Sequence, residues 1–349
     1  MTEESASAQK TTVVTEEELK RAFELNQPID ANSHYMKVYN SNPINIFARL
    51  SQKVLNSMKK ENKGQLPVLS LENKKLRLKY SVKTNLADLV TLDGRSAQFL
   101  WYLIAKYAQL LKNLSKNGDD TIKAEQCTII VFRQSEVARL FNISRQRTRD
   151  IVWSSYLTLK TLEWSFTEEL PSIGECYWSF SPVSSFVETK KYGYTGIRLN
   201  VDFVRYLSHT YVKYFPTAVL QIQPKNYPNA LSYAIKLITN YNINDRKNSS
   251  QRNTISVERL LNSAAYIPKK EAVLKGKSRL NQRIVQPFIR DMNHLKDLNI
   301  IADWYFKWGN SSVLIKPDKK ISYEDFIKMY VYYNVPENSD GNIPLTSIT

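Results

Sequence analysis

Residues 134–152 read QSEVARLFNISRQRTRDIV, and this segment resembles a helix-turn-helix. Ala138 is small enough to let a second helix cross the first one closely. Asn142 falls where the turn needs a left-handed backbone, which asparagine adopts more readily than most residues. Ser144 is a favourable N-cap for the helix that follows. The pattern predicts two helices that meet at a tight turn, the second beginning directly after Ser144.

The second helix of this motif has one apolar face and one basic face. Helical spacing assigns the apolar face to Thr148, Ile151, Val152, Leu159 and Leu162. Trp153 lies on the opposite face of this helix, at the end of the basic stretch. Arginine can bridge O6 and N7 of guanine, and glutamine can bridge N6 and N7 of adenine, from the N-terminal end of a recognition helix. The alternative is a solvated basic face on a structural helix pair. The residues predicted to contact DNA are Ser144, Arg145, Gln146, Arg147 and Arg149.

The net charge is unevenly distributed and favours a polyanionic partner. The chain of 349 residues has a formal net charge of +16. The first 45 residues hold four Lys/Arg and seven Asp/Glu, a net charge of −3, so the remaining residues hold +19. Each phosphate that such a surface neutralises releases condensed counterions, whatever the base sequence. Charge alone does not distinguish nucleic acid from an anionic membrane or from a basic surface that favours solubility.

Periodicity and breaker residues divide the chain into five parts. Residues 1–45 are predicted to be an acidic, flexible tail, although Thr15-Glu16-Glu17-Glu18 is typical of a capping box and favours a short amphipathic helix as the alternative. The order of the elements predicts an α+β fold with tandem winged-helix domains, each of which combines a helix-turn-helix and a β-hairpin wing. The other parts are a first winged-helix domain over 46–220, a linker over 221–227, a second winged-helix domain over 228–336 and a C-terminal tail over 337–349.

Each predicted domain has its own series of elements. The first has a helix over 46–58 and a long helix that follows Asp93-Gly94 and runs through Leu111. Its other elements are strands over 75–82 and 127–132, the helix-turn-helix, strands near 164–166 and 177–180, and a closing segment over 198–204. The second has helices over 229–241 and 256–264, a longer helix, and strands over 300–308 and 312–315 joined at Gly309-Asn310.

The second domain carries a weaker version of the basic motif. Ser256 can cap its shorter helix. Pro287 either kinks the longer helix or occupies its first turn, which would leave Arg283 in the preceding loop. Lysines on a loop typically contact phosphates, and Lys307 is expected at the tip of the wing. A solvated basic loop is the alternative. The residues predicted to contact DNA here are Lys269, Lys270, Lys275, Lys277, Arg279, Arg283, Gln286, Arg290 and Lys307.

The sequence offers little for catalysis, cofactor binding or membrane insertion. Lys275-Gly276-Lys277-Ser278 resembles the end of a phosphate-binding loop, but Glu271 stands where the first glycine is required. His34, His209 and His294 are too far apart in sequence to pair as metal ligands, and two cysteines are too few for a Cys-based zinc site. No apolar run reaches the roughly 20 residues of a membrane span. We therefore expect no enzymatic activity, no cofactor, no metal and no membrane segment.

The overall plan resembles the theta-type plasmid replication initiators, which have two winged-helix domains. The likeness covers most of residues 46–320. It rests on three segments, which are Ser144–Arg149, Arg198–Leu207 together with Tyr227–Ile238, and Ile255–Leu261 with the helix and wing that follow. The acidic N-terminal extension and Pro287 depart from the family pattern. The resemblance implies a non-catalytic protein that binds repeated origin sites on double-stranded DNA and recruits host replication proteins.

Other assignments stay open at this point. A transcriptional regulator or a phage DNA-binding protein can be built from the same modules, and the sequence leaves open whether the protein binds DNA as a monomer or a homodimer. A nucleic-acid-processing enzyme is a third class, which the residue inventory disfavours. The resemblance implies a cytoplasmic protein that associates with a plasmid or with the nucleoid.

Overall fold

The computed structural model describes residues 16–30, 33–40, 43–45, 47, 77–80, 95–116, 128–170, 174–189, 194–246, 253–264, 279–309, 314–315 and 321–336. Helices and strands are mixed along this chain, and every described strand pairing is antiparallel. The α+β class expected from the sequence is therefore confirmed.

The N-terminal half of the chain packs around one long helix, α2. Most residues of this helix are buried, and Trp101, Tyr102 and Tyr107 are each at most 2% exposed, as expected for a helix that packs against protein on most of its sides. The elements are α1 (Glu16–Leu25), β1 (Tyr35–Asn40), β2 (Arg77–Tyr80), α2 (Ser96–Lys116), β3 (Ile129–Arg133), α3 (Gln134–Leu140), α4 (Arg145–Thr161), β4 (Leu162–Leu170), β5 (Gly174–Phe180), β6 (Val183–Thr189) and β7 (Tyr194–Leu199).

The C-terminal half has an aromatic centre around Phe288. The centroid of its ring lies 5.8 Å from those of both Phe306 and Phe326, so one helix side chain joins a strand and a second helix. The elements are α5 (Val201–Ser208), β8 (Tyr211–Pro216), a 3₁₀ turn (Thr217–Gln221), α6 (Ala230–Arg246), β9 (Thr254–Ser256), α7 (Val257–Ser263), a π-helical turn (Asn281–Val285), α8 (Gln286–Asp297), β10 (Asp303–Trp308), β11 (Leu314–Ile315), α9 (Tyr323–Lys328) and β12 (Met329–Asn334).

The described strands form four small sheets. Their orders are β1-β8, β2-β4-β5, β3-β7-β6 and β11-β10-β12-β9. The two hairpins expected from the sequence, β4–β5 and β10–β11, are both present, and Gly309 has a φ of +52° at the end of β10. β12 was not expected from the sequence. It lies between β10 and β9, and its Val331 and Tyr333 side chains are buried.

Residues 16–30 and 33–40 belong to the fold, which corrects the flexible tail expected over 1–45. The Arg198 guanidinium pairs with the Glu18 carboxylate at 3.0 Å, and the Phe23 ring centroid lies 4.2 Å from that of Tyr194. β1 pairs with β8 along its whole length. The structure thus favours the amphipathic helix, which was the alternative for this segment.

The segment expected to be a linker, 221–227, contains a buried residue next to its start. Ile222 is fully buried, and the Gln98 side chain of α2 donates to the carbonyls of Val219 and Ile222 at 2.7 and 2.9 Å. Because a buried amide satisfies two backbone acceptors here, the start of this segment is held against the core. A freely moving linker is therefore ruled out at Ile222, while the domain boundaries themselves remain a prediction.

The closing segment expected over 198–204 contains a helix start. β7 ends at Leu199, and the Asn200 side chain accepts a hydrogen bond from the Asp202 N–H at 2.9 Å. This N-cap begins α5, in which Phe203 and Leu207 recur at helical spacing and are fully buried. The chain therefore forms a strand and then a helix here.

Pro287 neither breaks the longer helix nor leaves Arg283 in a loop. The Gln286 N–H donates to the Asn281 carbonyl, five residues earlier, which defines the π-helical turn. Proline has no N–H to offer to the Arg283 carbonyl, and its ring would collide with that carbonyl in a regular α-helix. The wider π turn relieves this conflict, so Pro287 lies in the first turn of α8 and Arg283 lies in helical backbone.

Several expected elements lie wholly or mostly outside the described residues. They are the helix over 46–58, the ends of the strand over 75–82, the loop with Lys269, Lys270, Lys275 and Lys277, and the C-terminal tail over 337–349.

Candidate nucleic-acid interface

The helix-turn-helix expected at residues 134–152 is present as α3 and α4. Asn142 has a φ of +51°, so the turn uses the left-handed backbone that the sequence suggested. The Ser144 hydroxyl accepts a hydrogen bond from the Arg147 N–H at 3.4 Å, and the Thr148 hydroxyl donates to the Ser144 carbonyl at 2.8 Å. The turn and the N-cap together fix where α4 begins and which face it presents.

The buried face of α4 matches the predicted stripe. Thr148, Ile151, Val152 and Leu159 are at most 6% exposed, and Leu162 is buried as the first residue of β4. This face packs against α2 and α3. Because the stripe is fully occupied by core contacts, rotation of α4 about its axis is restricted and the opposite face is held outward.

The outward face of α4 concentrates cations at its N-terminal end. Arg145, Gln146, Arg147 and Arg149 are all exposed, and the first turn contains no acidic residue. The helix macrodipole disfavours positive charge at this end and favours Asp or Glu there. The macrodipole of α4 therefore does not account for three arginines at this position.

An open groove adjoins this basic face. It has a volume of about 450 Å³ and is lined by Gln134, Arg149, Asp150, Val152, Trp153 and Phe186. Trp153 is 48% exposed although it is large and apolar. The helical spacing of α4 places Trp153 on this face, whereas no local pattern indicates Phe186, because β6 is distant from α4 in sequence.

The hairpin that follows α4 has the opposite charge. Residues 162–180 contain four glutamates and no Lys or Arg. Glu169 and Glu175 are exposed and lie directly opposite each other in the β4–β5 register, an arrangement that normally destabilises a strand pair. This hairpin occupies the position of a wing, but its charge is unsuited to contact with phosphates.

The second helix pair is partly described. The Ser256 hydroxyl accepts from the Arg259 N–H at 3.3 Å, so the predicted cap of α7 is confirmed. Arg279, Arg283 and Gln286 are exposed along the π turn and the start of α8. Lys269, Lys270, Lys275 and Lys277 lie outside the described residues, so their role stays a prediction.

Arg290 has a structural partner, and its assignment as a DNA contact stays a prediction. Its guanidinium donates to the Asp291 carboxylate at 2.8 and 2.9 Å, and Asp291 is fully buried. The same carboxylate accepts from the Asn229 backbone and side chain at 3.0 and 3.2 Å. Burial raises the pKa of Asp291, and the contacts from Arg290 and Asn229 counteract this increase. Arg290 therefore stabilises the start of α6 through a buried charge.

Lys307 is not at the tip of the β10–β11 hairpin. It lies within β10 opposite Leu314, and its ammonium group is 4.4 Å from the centroid of the Tyr332 ring. Tyr332 stacks on Tyr305 with ring centroids 4.8 Å apart. The lysine is thus half-buried over aromatic rings in a cation–π contact, a geometry that corrects its expected place as a wing-tip contact with phosphate.

Within the described part of the chain, no three His, Cys, Asp or Glu side chains are grouped as a metal site would need. Among the same residues, no helix combines the length and the apolar character needed to cross a bilayer.

Known proteins give little information about this chain. No protein-family model matches the sequence. No curated protein matches it either. Among solved structures, it is similar to one described as "Crystal structure of Pi initiator protein in complex with iteron DNA", at 12% sequence identity and a TM-score of 0.47, over 87% of this chain and 98% of that one. A likeness of this strength assigns neither a fold family nor a function to the chain.

Proposed function

We propose that this protein binds double-stranded DNA in a sequence-specific manner through α4 and catalyses no reaction. One observation supports this most directly: Arg145, Gln146, Arg147 and Arg149 are exposed together at the capped N-terminal end of a firmly packed helix. Arginine and glutamine are the side chains that most often make paired hydrogen bonds to guanine and adenine in the major groove. The net charge of +16 adds attraction to the phosphate backbone.

We further propose that the chain is a tandem winged-helix protein. α3, α4 and the β4–β5 hairpin follow one another in the first unit, and α7, α8 and the β10–β11 hairpin do so in the second. Arg279, Arg283 and Gln286 would contact DNA from the second unit, with the lysines among residues 265–278 holding the backbone. The acidic β4–β5 hairpin would face away from phosphate.

The most specific form of the proposal is a plasmid replication initiator that binds origin repeats and recruits host replication proteins in the cytoplasm. Protection mapping of the purified protein on the DNA that flanks its own gene tests this form. Several short direct repeats would support an initiator, and a single inverted repeat would instead support a transcriptional regulator or a phage DNA-binding protein. If the protein protects no site on any selected duplex, this result contradicts DNA recognition itself.

Replacing Arg145 or Arg149 with alanine should weaken binding to the preferred duplex by roughly 1–3 kcal/mol and relax the preference at one base position. The reason is that a lost bidentate contact removes discrimination between bases. The measurement is a fluorescence titration against the preferred duplex and single-position variants of it. Arg205→Ala is the matched control, because Arg205 is an exposed arginine of α5 that pairs with Asp202. Equal losses on every duplex would show that α4 attracts DNA without recognising bases.

Arg283→Ala and Arg290→Ala should affect different properties of the protein, the first DNA binding and the second stability. Removing Arg290 leaves the buried Asp291 carboxylate short of a charged donor and should lower the free energy of unfolding by about 1–3 kcal/mol. Removing Arg283, which is exposed, should leave stability unchanged and weaken DNA binding. Chemical denaturation and DNA titration of both variants check this pair. If Arg290→Ala weakens DNA binding without any loss of stability, the structural role given to Arg290 is wrong.

A further inference from the structure

Trp153 is the most exposed member of a three-ring cluster beside the basic face of α4. Its ring centroid lies 5.1 Å from that of Phe186 in an edge-to-face arrangement and 5.6 Å from that of Tyr156. The Tyr156 and Phe186 centroids are 5.0 Å apart. Tyr156 is buried and anchors the cluster, so the indole is fixed in place while about half of its surface faces the groove.

The position of Trp153 along α4 continues the line of predicted base contacts. It follows Arg149 by one helical turn and Arg145 by two, so the three side chains share one stripe. The rise of an α-helix places Trp153 about 6 Å beyond Arg149, which corresponds to about two base steps along a strand. A helix that brings Arg149 to a base edge therefore brings the indole of Trp153 near the edge of a base about two steps away.

The chemistry of the groove limits what can occupy it. Val152, Trp153 and Phe186 supply the apolar part of its lining, and Gln134, Arg149 and Asp150 supply the polar part. The Asp150 carboxylate repels phosphate oxygens. Arg149 lines both this groove and the basic face, so the occupant must approach with the polyanion. In the major groove the apolar feature of a base edge is the 5-methyl group of thymine.

We propose that Trp153 and Phe186 form an apolar site for the 5-methyl group of one thymine, which makes Trp153 a determinant of sequence preference. This inference rests on the proposed function, since it requires α4 to lie in the major groove. The competing explanation is that the rings only pack α4 against β6. In that case Trp153 would affect stability and have no influence on thymine.

The test begins with a duplex selected from a random library by the wild-type protein. Each thymine is then replaced in turn by deoxyuridine, which lacks only the methyl group. We expect one or two positions at which the wild-type protein loses about three- to fivefold in affinity, the value of one buried methyl group. Trp153→Ala should bind the thymine and uracil duplexes equally, and Trp153→Phe should retain part of the difference.

Trp308→Ala is the matched control, because Trp308 is a comparably exposed tryptophan, at 43%, in β10. It should keep the full uracil penalty. The inference is overturned if no uracil substitution weakens wild-type binding, or if the penalty persists in Trp153→Ala. The wild-type scan and Trp153→Phe decide the matter even if Trp153→Ala fails to fold. Failure to select any preferred duplex would instead contradict the proposed function, so the two failures are distinguishable.

Discussion

Replacing Glu136 with alanine should lower the free energy of unfolding by about 3–5 kcal/mol, because it leaves the buried charge of Lys106 without its partner. The two side chains are 5% and 1% exposed, with 3.4 Å between the Lys106 ammonium and the Glu136 carboxylate. The same carboxylate accepts a hydrogen bond from the Ile29 N–H at 2.9 Å. One substitution thus removes contacts to α2 and to the segment after α1. Chemical denaturation measures the loss.

The pH dependence of this variant gives a second measurement. Burial lowers the pKa of Lys106, and Glu136 counteracts the decrease. Without Glu136 the folded-state pKa should fall further below that of the unfolded chain, which then binds more protons. Stability of Glu136→Ala should therefore rise with pH as the medium passes through the lowered pKa.

The double variant Glu136→Gln with Lys106→Met is the control. It removes both charges and keeps similar volumes, and such replacements of buried ion pairs are often close to neutral. We expect it to be more stable than Glu136→Ala. A double variant that is as unstable as the single one would show that the unpaired charge of Lys106 does not account for the loss.

The position of Glu136 also explains why the N-terminal segment was misjudged from sequence. Glu136 lies in α3 and was visible only as an ordinary polar residue of a helix-turn-helix, while its partners at Ile29 and Lys106 are distant in the chain. Likewise, β1 pairs with β8 across more than 170 residues, and no local pattern encodes that register. The excess of acidic residues in residues 1–45 suggested a flexible tail. An amphipathic helix such as α1, however, can have charged residues on one face and pack its other face against the fold.

The helix-turn-helix was predictable because its determinants are local. A cap at Ser144, a left-handed turn at Asn142 and an apolar stripe on α4 all lie within about 20 residues, and each was confirmed. The second motif was harder. Spacing alone places Arg283 and Arg290 on one face, yet only Arg290 pairs with a buried carboxylate. Asp291 lies within the apolar stripe of α8, and this departure from the pattern could have indicated its partner.

Binding of this protein to its preferred duplex should weaken by about a thousandfold or more when salt rises from about 50 to 200 mM, if six or more phosphates are contacted. The +19 charge carried by residues 46–349 motivates this expectation. The exposed cations of the described residues near the two helix pairs include Arg145, Arg147, Arg149, Arg279 and Arg283. The lysines among residues 265–278 would add further contacts.

The slope of log affinity against log salt separates the roles of these side chains. A residue that holds a phosphate should lower the slope by about one when it is removed, and it should do so on every duplex. Lys269→Ala and Lys277→Ala are therefore expected to reduce the slope without altering base preference. Arg205→Ala, which removes an equal charge from α5, should leave the slope unchanged if α5 faces away from DNA. An affinity that barely changes with salt would mean that the basic surface is not where DNA binds, and α4 would then have to be regarded as a structural helix.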